Sequence, residues 1–298
     1  MAKRRRVLLF SVFALIVTIY VLLKLNVSGT DFDKNTDIAR YASGNLKVHF
    51  IGVGQADCIL VQSDGRNLLI DAGSNENEHF IVSYLQGQGI SYLDYVIATH
   101  AHVDHIGGMD AVIENFPIGV FFLPEEEYDT NSFKDVLKML EKKQVTVHMP
   151  KFKENFYMGK ARFMFITPDS DRQYEDVNDS SLGIRLSNGA HSFLFCGDIS
   201  KKMEKQILDS DVYIRSDVMK LNHHGSSDAN SWKFLKTVDP AFVVISCGRK
   251  NEFGHPHKSV MRRVKALHAG VFRTDKQGTI LFESDGKHLT CNVKPMEK

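Results

Sequence analysis

Fourteen short apolar runs, bounded by polar or glycine-containing stretches, fill residues 46–293 of this chain. Examples are Leu46–Gly52, Asn67–Asp71, Tyr95–Thr99, Ser192–Cys196 and Val218–Leu221. They are too short for helices and read as strands. Helical patterns fall between them at about 76–88, 108–116, 131–143, 199–209, 229–237 and 256–268, with Asn131, Asp198 and Ser227 as nearby caps. So many apolar strands need two covered sheets. Two sheets packed face to face, with helices outside, would bury them. The chain is thus expected to be α/β, and a strand-rich block followed by mixed strands and helices recurs in a weak two-half rhythm.

Composition narrows the class. At 298 residues, 43% hydrophobic and 24% charged, the chain is globular rather than disordered or fibrous. A net charge of +1 conceals an asymmetry, because residues 1–29 carry five basic residues and no acid. The remainder has 32 basic against 36 acidic residues, which disfavours a globally basic nucleic-acid binder but not a local basic groove. Lys3–Arg6 precedes Val7–Leu23, an uncharged run of 17 residues that would span about 25 Å as a helix. The charge order places the amino terminus in the cytoplasm. An uncleaved anchor at 1–29, a polar linker at 30–45 and one outward-facing domain at 46–298 are expected; a cleaved signal and secretion are the alternative. Cys58, Cys196, Cys247 and Cys291 lie far apart in apolar runs and read as buried free thiols.

The chemistry concentrates after one strand. Tyr95–Thr99 runs directly into His100-Ala-His102-Val-Asp104-His105-Ile-Gly-Gly108, four potential ligands in six residues. Residues two apart at a strand end project the same way, and Gly107–Gly108 lets the chain turn. His100 and His102 can hold one metal, and Asp104 and His105 another; imidazole with carboxylate suits zinc, manganese or iron. Asp198 ends a second apolar strand, either as a ligand or as a helix cap. His223 and His224 follow a third, where a loop leaves open which of the two points inward. Ser226 and the amides after Gly225 lie before a helix start, where an anion is welcome. Lys220 could meet a phosphate. His255 and His257 flank Pro256, and either could donate a proton, His255 being favoured.

These motifs resemble the metallo-β-lactamase-fold hydrolase superfamily. More closely, they resemble the catalytic domain of ComEC-type competence proteins. The likeness rests on His49–Asp57, Leu69–Gly73, Thr99–Gly108, Asn178–Leu182, Phe195–Asp198, Lys220–Ser226 and Phe253–His257. It implies a four-layer αββα sandwich behind one N-terminal transmembrane helix, with two divalent metal ions, zinc or manganese, at one sheet edge. It implies Asp198 as the bridge between them, His224 as a terminal ligand, His223 as a phosphate contact or proton donor, and Asp71 as a partner orienting a ligating His. Two departures stand out. Ala56 replaces the usual Gly of the Gly-Gln-Gly-Asp motif. The further His that many members carry before the bridging Asp is missing from Asn178–Leu182, which argues against a faithful β-lactamase or glyoxalase site.

The implied activity is hydrolysis of a phosphodiester, DNA or another nucleic acid first and phosphocholine-type esters second. Asp104, His223 and His255 are the expected catalytic groups, and Lys220, Ser226 and His257 the substrate contacts. No nucleotide cofactor is needed. One anchor cannot form a channel, so a separate channel protein is a possible partner. A lactamase, lactonase or thioesterase is the rival enzyme, and a non-catalytic binding module the rival of another class.

Overall fold

The computed structural model describes residues 45–126, 128–167 and 174–297. The expected anchor and all but Asn45 of the linker lie outside those residues. Among the described residues the strands are β1 (Leu46–Phe50), β2 (Ile59–Ser63), β3 (Arg66–Ile70), β4 (Leu93–Ile97), β5 (Ile118–Phe122), β6 (Thr146–His148), β7 (Asn155–Met158), β8 (Ala161–Phe165), β9 (Ile184–Asn188), β10 (His191–Phe195), β11 (Val218–Lys220), β12 (Phe242–Ile245), β13 (Gly270–Arg273), β14 (Ile280–Ser284) and β15 (Leu289–Cys291). They form two sheets, in the orders β15-β14-β1-β2-β3-β4-β5-β6 and β13-β12-β11-β10-β9-β8-β7. Each sheet is half antiparallel and half parallel. The parallel halves are β3 to β6 and β10 to β13, which is the two-half rhythm of the sequence.

Alternation along the strands builds three apolar layers. Leu68 and Ile70 face the second sheet, packing in one cluster with Phe163, Phe165, Phe193, Phe195 and Phe282. Leu69, between them, faces outward with α1 (Glu78–Gly87), α2 (Met109–Asn115) and α3 (Asn131–Lys143). On the far side α4 (Lys201–Asp209), α5 (Trp232–Val238) and α6 (Lys258–Ala266) cover Leu194, Met219 and Val243. Helix, sheet, sheet and helix layers follow. The parallel strands need helical crossovers to bring each chain back to the same end. Their carboxyl ends therefore gather at one end of the sandwich, where α/β folds place their ligands.

Three local expectations change. The caps are Thr130, Ser200 and Ser231, whose side chains accept from Phe133, Lys202 and Phe234 amides. Asn131, Asp198 and Ser227 do not cap these helices. Gly107 and Gly108 are not needed for a positive φ: a Cβ at Gly107 would stand 2.4 Å from the Asn75 nitrogen, and one at Gly108 2.5 Å from the Ala72 oxygen. Close approach of the 72–75 loop is what requires glycine there. Strand β7 has no strong apolar signal. Among the four cysteines, Cys58, Cys196 and Cys247 are buried free thiols, and Cys291 is half-buried.

Candidate metal centre

Both sheets deliver side chains to the same end. The chain leaves β3 at Asp71 and β4 at Thr99–His105; it leaves β10 at Asp198 and β11 at Asn222–Ser226. One ligand atom from each of Asp104, His105, Asp198 and His224 lies within 4.8 Å of the others. His105 Nε2 is 3.2 Å from Asp198 Oδ2, and His224 Nε2 is 3.3 Å from the same oxygen and 3.2 Å from Asp104 Oδ2. Beside this group, His100 Nε2 and His102 Nδ1 stand 3.1 Å apart. The chain thus presents a four-residue cluster and a separate imidazole pair.

Hydrogen bonds fix which nitrogen each ring offers. Asp71 accepts from the Thr99 amide and hydroxyl, each at 2.8 Å, and lies 2.7 Å from His105 Nδ1. That leaves His105 Nε2 with a lone pair aimed into the cluster. His224 Nδ1 donates to the Ser246 carbonyl at 2.9 Å, which leaves its Nε2 free in the same way. His100 Nδ1 lies 3.1 Å from Thr99 Oγ1 and 3.3 Å from Ser181 Oγ. Both hydroxyls already donate, to Asp71 and to the Asn178 carbonyl, so each accepts from His100 and its Nε2 is left to coordinate. Ser181 also accepts from the Asp198 amide. It stands in the Asn178–Leu182 segment that lacks the further His, and sequence reasoning gave it no role.

The site asks for positive charge. His105 Nε2 and Asp198 Oδ1 are buried and make no hydrogen bond, which a fold rarely tolerates unless a ligand completes them. Burial opposes charge on His224, yet Asp198 and Asp57 raise it to about 10. Burial likewise opposes charge on His105, and Asp198 and Asp71 outweigh it and raise it well above the usual imidazole range. Burial, with His105 beside it, lowers His100 and keeps it neutral. Imidazole lone pairs with a shared carboxylate fit divalent metal ions of the zinc or manganese kind.

The adjacent histidines diverge because both adopt left-handed backbone, with φ of 48° at His223 and 52° at His224. Buried Glu204 holds this loop, accepting from Asn222 Nδ2 and the Ser231 amide at 2.9 and 2.8 Å. His224 enters the cluster. His223 instead stands beside it, with Nδ1 3.2 Å from Asp228 Oδ2 and Nε2 3.9 Å from Asp198 Oδ2. Burial opposes charge on His223, and Asp228 and Asp198 raise it net. Its ring lies 5.6 Å from that of His255. Desolvation lowers His255 to about 4, and the neighbouring His224 adds to this.

Three expected substrate contacts are otherwise engaged. Lys220 is 1% exposed, paired with Asp57, 3.7 Å from Asp198 Oδ1 and hydrogen-bonded to the Gly197 carbonyl. It neutralises buried carboxylates and has no path to a phosphate. Ser226 is buried and its amide donates to the His223 carbonyl. The next helix begins at Trp232 with Ser231 as its cap, so no helix end stands at 225–227 for an anion. His257 Nδ1 accepts from the Ser227 amide at 2.8 Å and braces that loop. His148 and His191 pair with Glu154 and Ser284, and neither replaces the missing His.

Comparison with known proteins agrees with this architecture. Residues 51–246 match the Metallo-beta-lactamase superfamily. The chain is 26% identical over 271 residues to ComE operon protein 3 of Bacillus subtilis (strain 168), covering 85% of this chain and 35% of that protein. It is 30% identical over 233 residues to Competence protein ComA of Neisseria gonorrhoeae, covering 77% and 31%. The chain thus spans about a third of the length of these relatives. The metallo-beta-lactamase fold protein YhfI of Bacillus subtilis superposes with a TM-score of 0.52 at 15% identity, covering 77% of this chain and 95% of that one. This chain belongs to the metallo-beta-lactamase superfamily of metal-dependent hydrolases, and its sequence is similar to those of ComEC-type competence proteins.

Proposed function

We propose that the protein is a metal-dependent phosphodiesterase acting on DNA, held at the outer face of the cell membrane by its amino-terminal segment. The observation that carries the reading is a second row of imidazoles. His223 and His255, with ring centroids 5.6 Å apart, stand beside the cluster without joining it. Two nitrogen donors next to a cation site suit the oxygens of a phosphoryl group. Two divalent cations, zinc or manganese, held by His100, His102, Asp104, His105, Asp198 and His224, would activate water and neutralise developing charge.

The chain's own groups supply the rest. Asp71 orients His105, and the Ser246 carbonyl orients His224. Asp198 Oδ2 stands 3.2 Å from His105 Nε2 and 3.3 Å from His224 Nε2, where it would bridge the cations. Asp228 holds His223 with Nε2 toward the cluster, in reach of a leaving oxygen. DNA is proposed as the substrate on the resemblance to ComEC-type competence proteins. Lys3–Arg6 before the apolar run Val7–Leu23 supports the membrane anchor. A separate channel protein would be the partner, and no nucleotide cofactor enters.

The test uses the full chain with fluorescent single-stranded DNA and manganese, beside Asp198→Ala and His102→Ala. Cleavage by the wild type alone is expected. Manganese bound with no cleavage overturns the nuclease reading, and turnover of a phosphocholine ester in its place would assign the small-diester activity.

A further inference from the structure

Gln55 lies in the loop after β1, and the proposed function gives it no part. Its side chain spans the two halves of the molecule. Gly248, just past β12, donates its amide to Gln55 Oε1 at 3.0 Å. Gln55 Nε2 lies 3.2 Å from His255 Nδ1. A backbone amide can only donate, so the oxygen of Gln55 must face Gly248 and its NH2 must face His255. An NH2 group can only donate in turn, so His255 Nδ1 must accept and carry no hydrogen. The ring hydrogen is then on Nε2.

The rest of the surroundings hold His255 for this one interaction. Asn251 grips its backbone from both sides: Oδ1 accepts from the His255 amide at 2.9 Å, and Nδ2 donates to its carbonyl at 2.7 Å. A Cβ on Gly248 would stand 2.9 Å from the Gln55 nitrogen, so glycine lets the Gln55 loop come close. His255 is only 7% exposed. No group among the described residues takes its Nε2, on the ring edge away from Gln55.

We propose that Gln55 is a positioning residue that fixes the Nε2–H tautomer of His255, so that His255 donates a hydrogen bond to a phosphoryl oxygen and cannot act as a base. The substrate half of this statement rests on the phosphodiesterase reading; the tautomer half does not. An imidazolium at His255 would set Nδ1–H against the Gln55 NH2, and rotating the amide would set that NH2 against the Gly248 amide. Both arrangements place two donors face to face.

The test is nitrogen NMR of the full chain, 15N-labelled at histidine and prepared both metal-free and zinc-loaded, with His255 assigned by the loss of its signal in His255→Asn. In the wild type at neutral pH, Nδ1 is expected bare and Nε2 protonated in both preparations. Gln55→Glu offers oxygen acceptors to both neighbours and is expected to place a proton on Nδ1. Gln55→Leu removes the constraint and is expected to give a mixture. A wild-type Nδ1 carrying hydrogen, or an unchanged pattern in both variants, overturns the proposal. On DNA, Gln55→Leu is expected to lower kcat in proportion to the Nε2–H fraction it loses, and Gln55→Glu, which moves the hydrogen to Nδ1, to lower it about 100-fold or more, the range for losing one oriented donor, with KM and zinc affinity unchanged in Gln55→Leu. A Gln55→Glu kcat equal to the wild type's overturns the substrate half. If the wild type shows the expected tautomer and cleaves no phosphodiester, the functional reading falls and the positioning role of Gln55 stands.

Discussion

Lys220 places its ammonium among Asp57, Asp198 and the Gly197 carbonyl, with 1% of the residue exposed. Burial disfavours that charge, and Asp57 and Asp198 outweigh it and raise the lysine. Removing one partner of a buried pair leaves the other uncompensated, so Lys220→Met is expected to cost about 3–5 kcal/mol in urea unfolding. A variant as stable as the wild type, with only KM raised, would restore Lys220 as a substrate contact. Ser181 is the converse case, a small residue acting on two ligands at once. Ser181→Ala removes an acceptor shared by His100 Nδ1 and the Asp198 amide. It is expected to weaken divalent-metal affinity about 10–100-fold, read by chelator competition. An unchanged affinity would show that Thr99 orients His100 alone. The sequence made His100, His102, Asp104 and His105 legible because all four are packed into six residues. It did not make Lys220's burial legible, because Asp57 lies far off in the chain. The divergence of His223 and His224 depends on two positive φ angles that no local pattern announces.

At the scale of elements, apolar periodicity revealed every strand that has a buried face on a neighbour at both sides. It missed β7, whose Asn155-Phe-Tyr-Met158 pairs only with β8 at the sheet edge. The edge strands β6, β13 and β15 were readable; β7 was not, because it opens on Asn155, exposes Tyr157 and fully buries only Met158. Helix bodies were likewise readable and their caps less so, since several Ser, Thr and Asn residues compete near each start. The one-turn helix Val103–Ile106, which carries Asp104 and His105, is too short to hold itself. It is seated by contact with the 72–75 loop. Gly107 allows that contact, because a Cβ there would meet the Asn75 nitrogen at 2.4 Å and the Val103 oxygen at 2.5 Å. Overpacking of this kind costs about 1–3 kcal/mol. Gly107→Ala is therefore expected to lower Tm and weaken metal binding together, since the loop must move and the ligands move with it. Gly87→Ala, a helical position with no atom within 4 Å of its added Cβ, serves as the control: it should leave metal affinity unchanged and hold or slightly raise Tm. A Gly107→Ala protein with wild-type metal affinity would show that the ligands are placed independently of that seat.

Across the whole molecule, the cluster joins sheets that are otherwise held by their apolar faces. Asp104 and His105 follow β4 of the first sheet, and Asp198 and His224 follow β10 and β11 of the second. Asp57, Asp71, Asp104 and Asp198 converge there, and among the described residues Lys220 is the one lysine or arginine that the ion pairs show facing them. Folding must bring those carboxylates together, and a divalent cation relieves their repulsion only once both sheets are in place. Metal should then bind the folded chain far better than the unfolded one. A ligand at 100 times its Kd adds about 2.7 kcal/mol to stability, and a domain of this size gains about 2–4 °C for each kcal/mol. Saturating zinc or manganese is expected to raise Tm by about 5–10 °C in a calorimetric scan. Asp198→Ala removes the carboxylate that both His105 and His224 approach within 3.3 Å, and it should abolish most of that gain. An equal gain in the variant would place the stabilising metal elsewhere. A gain absent from the wild type would mean that the sheets need no such tie, and that the clustered carboxylates are compensated by protons on His105 and His224 instead.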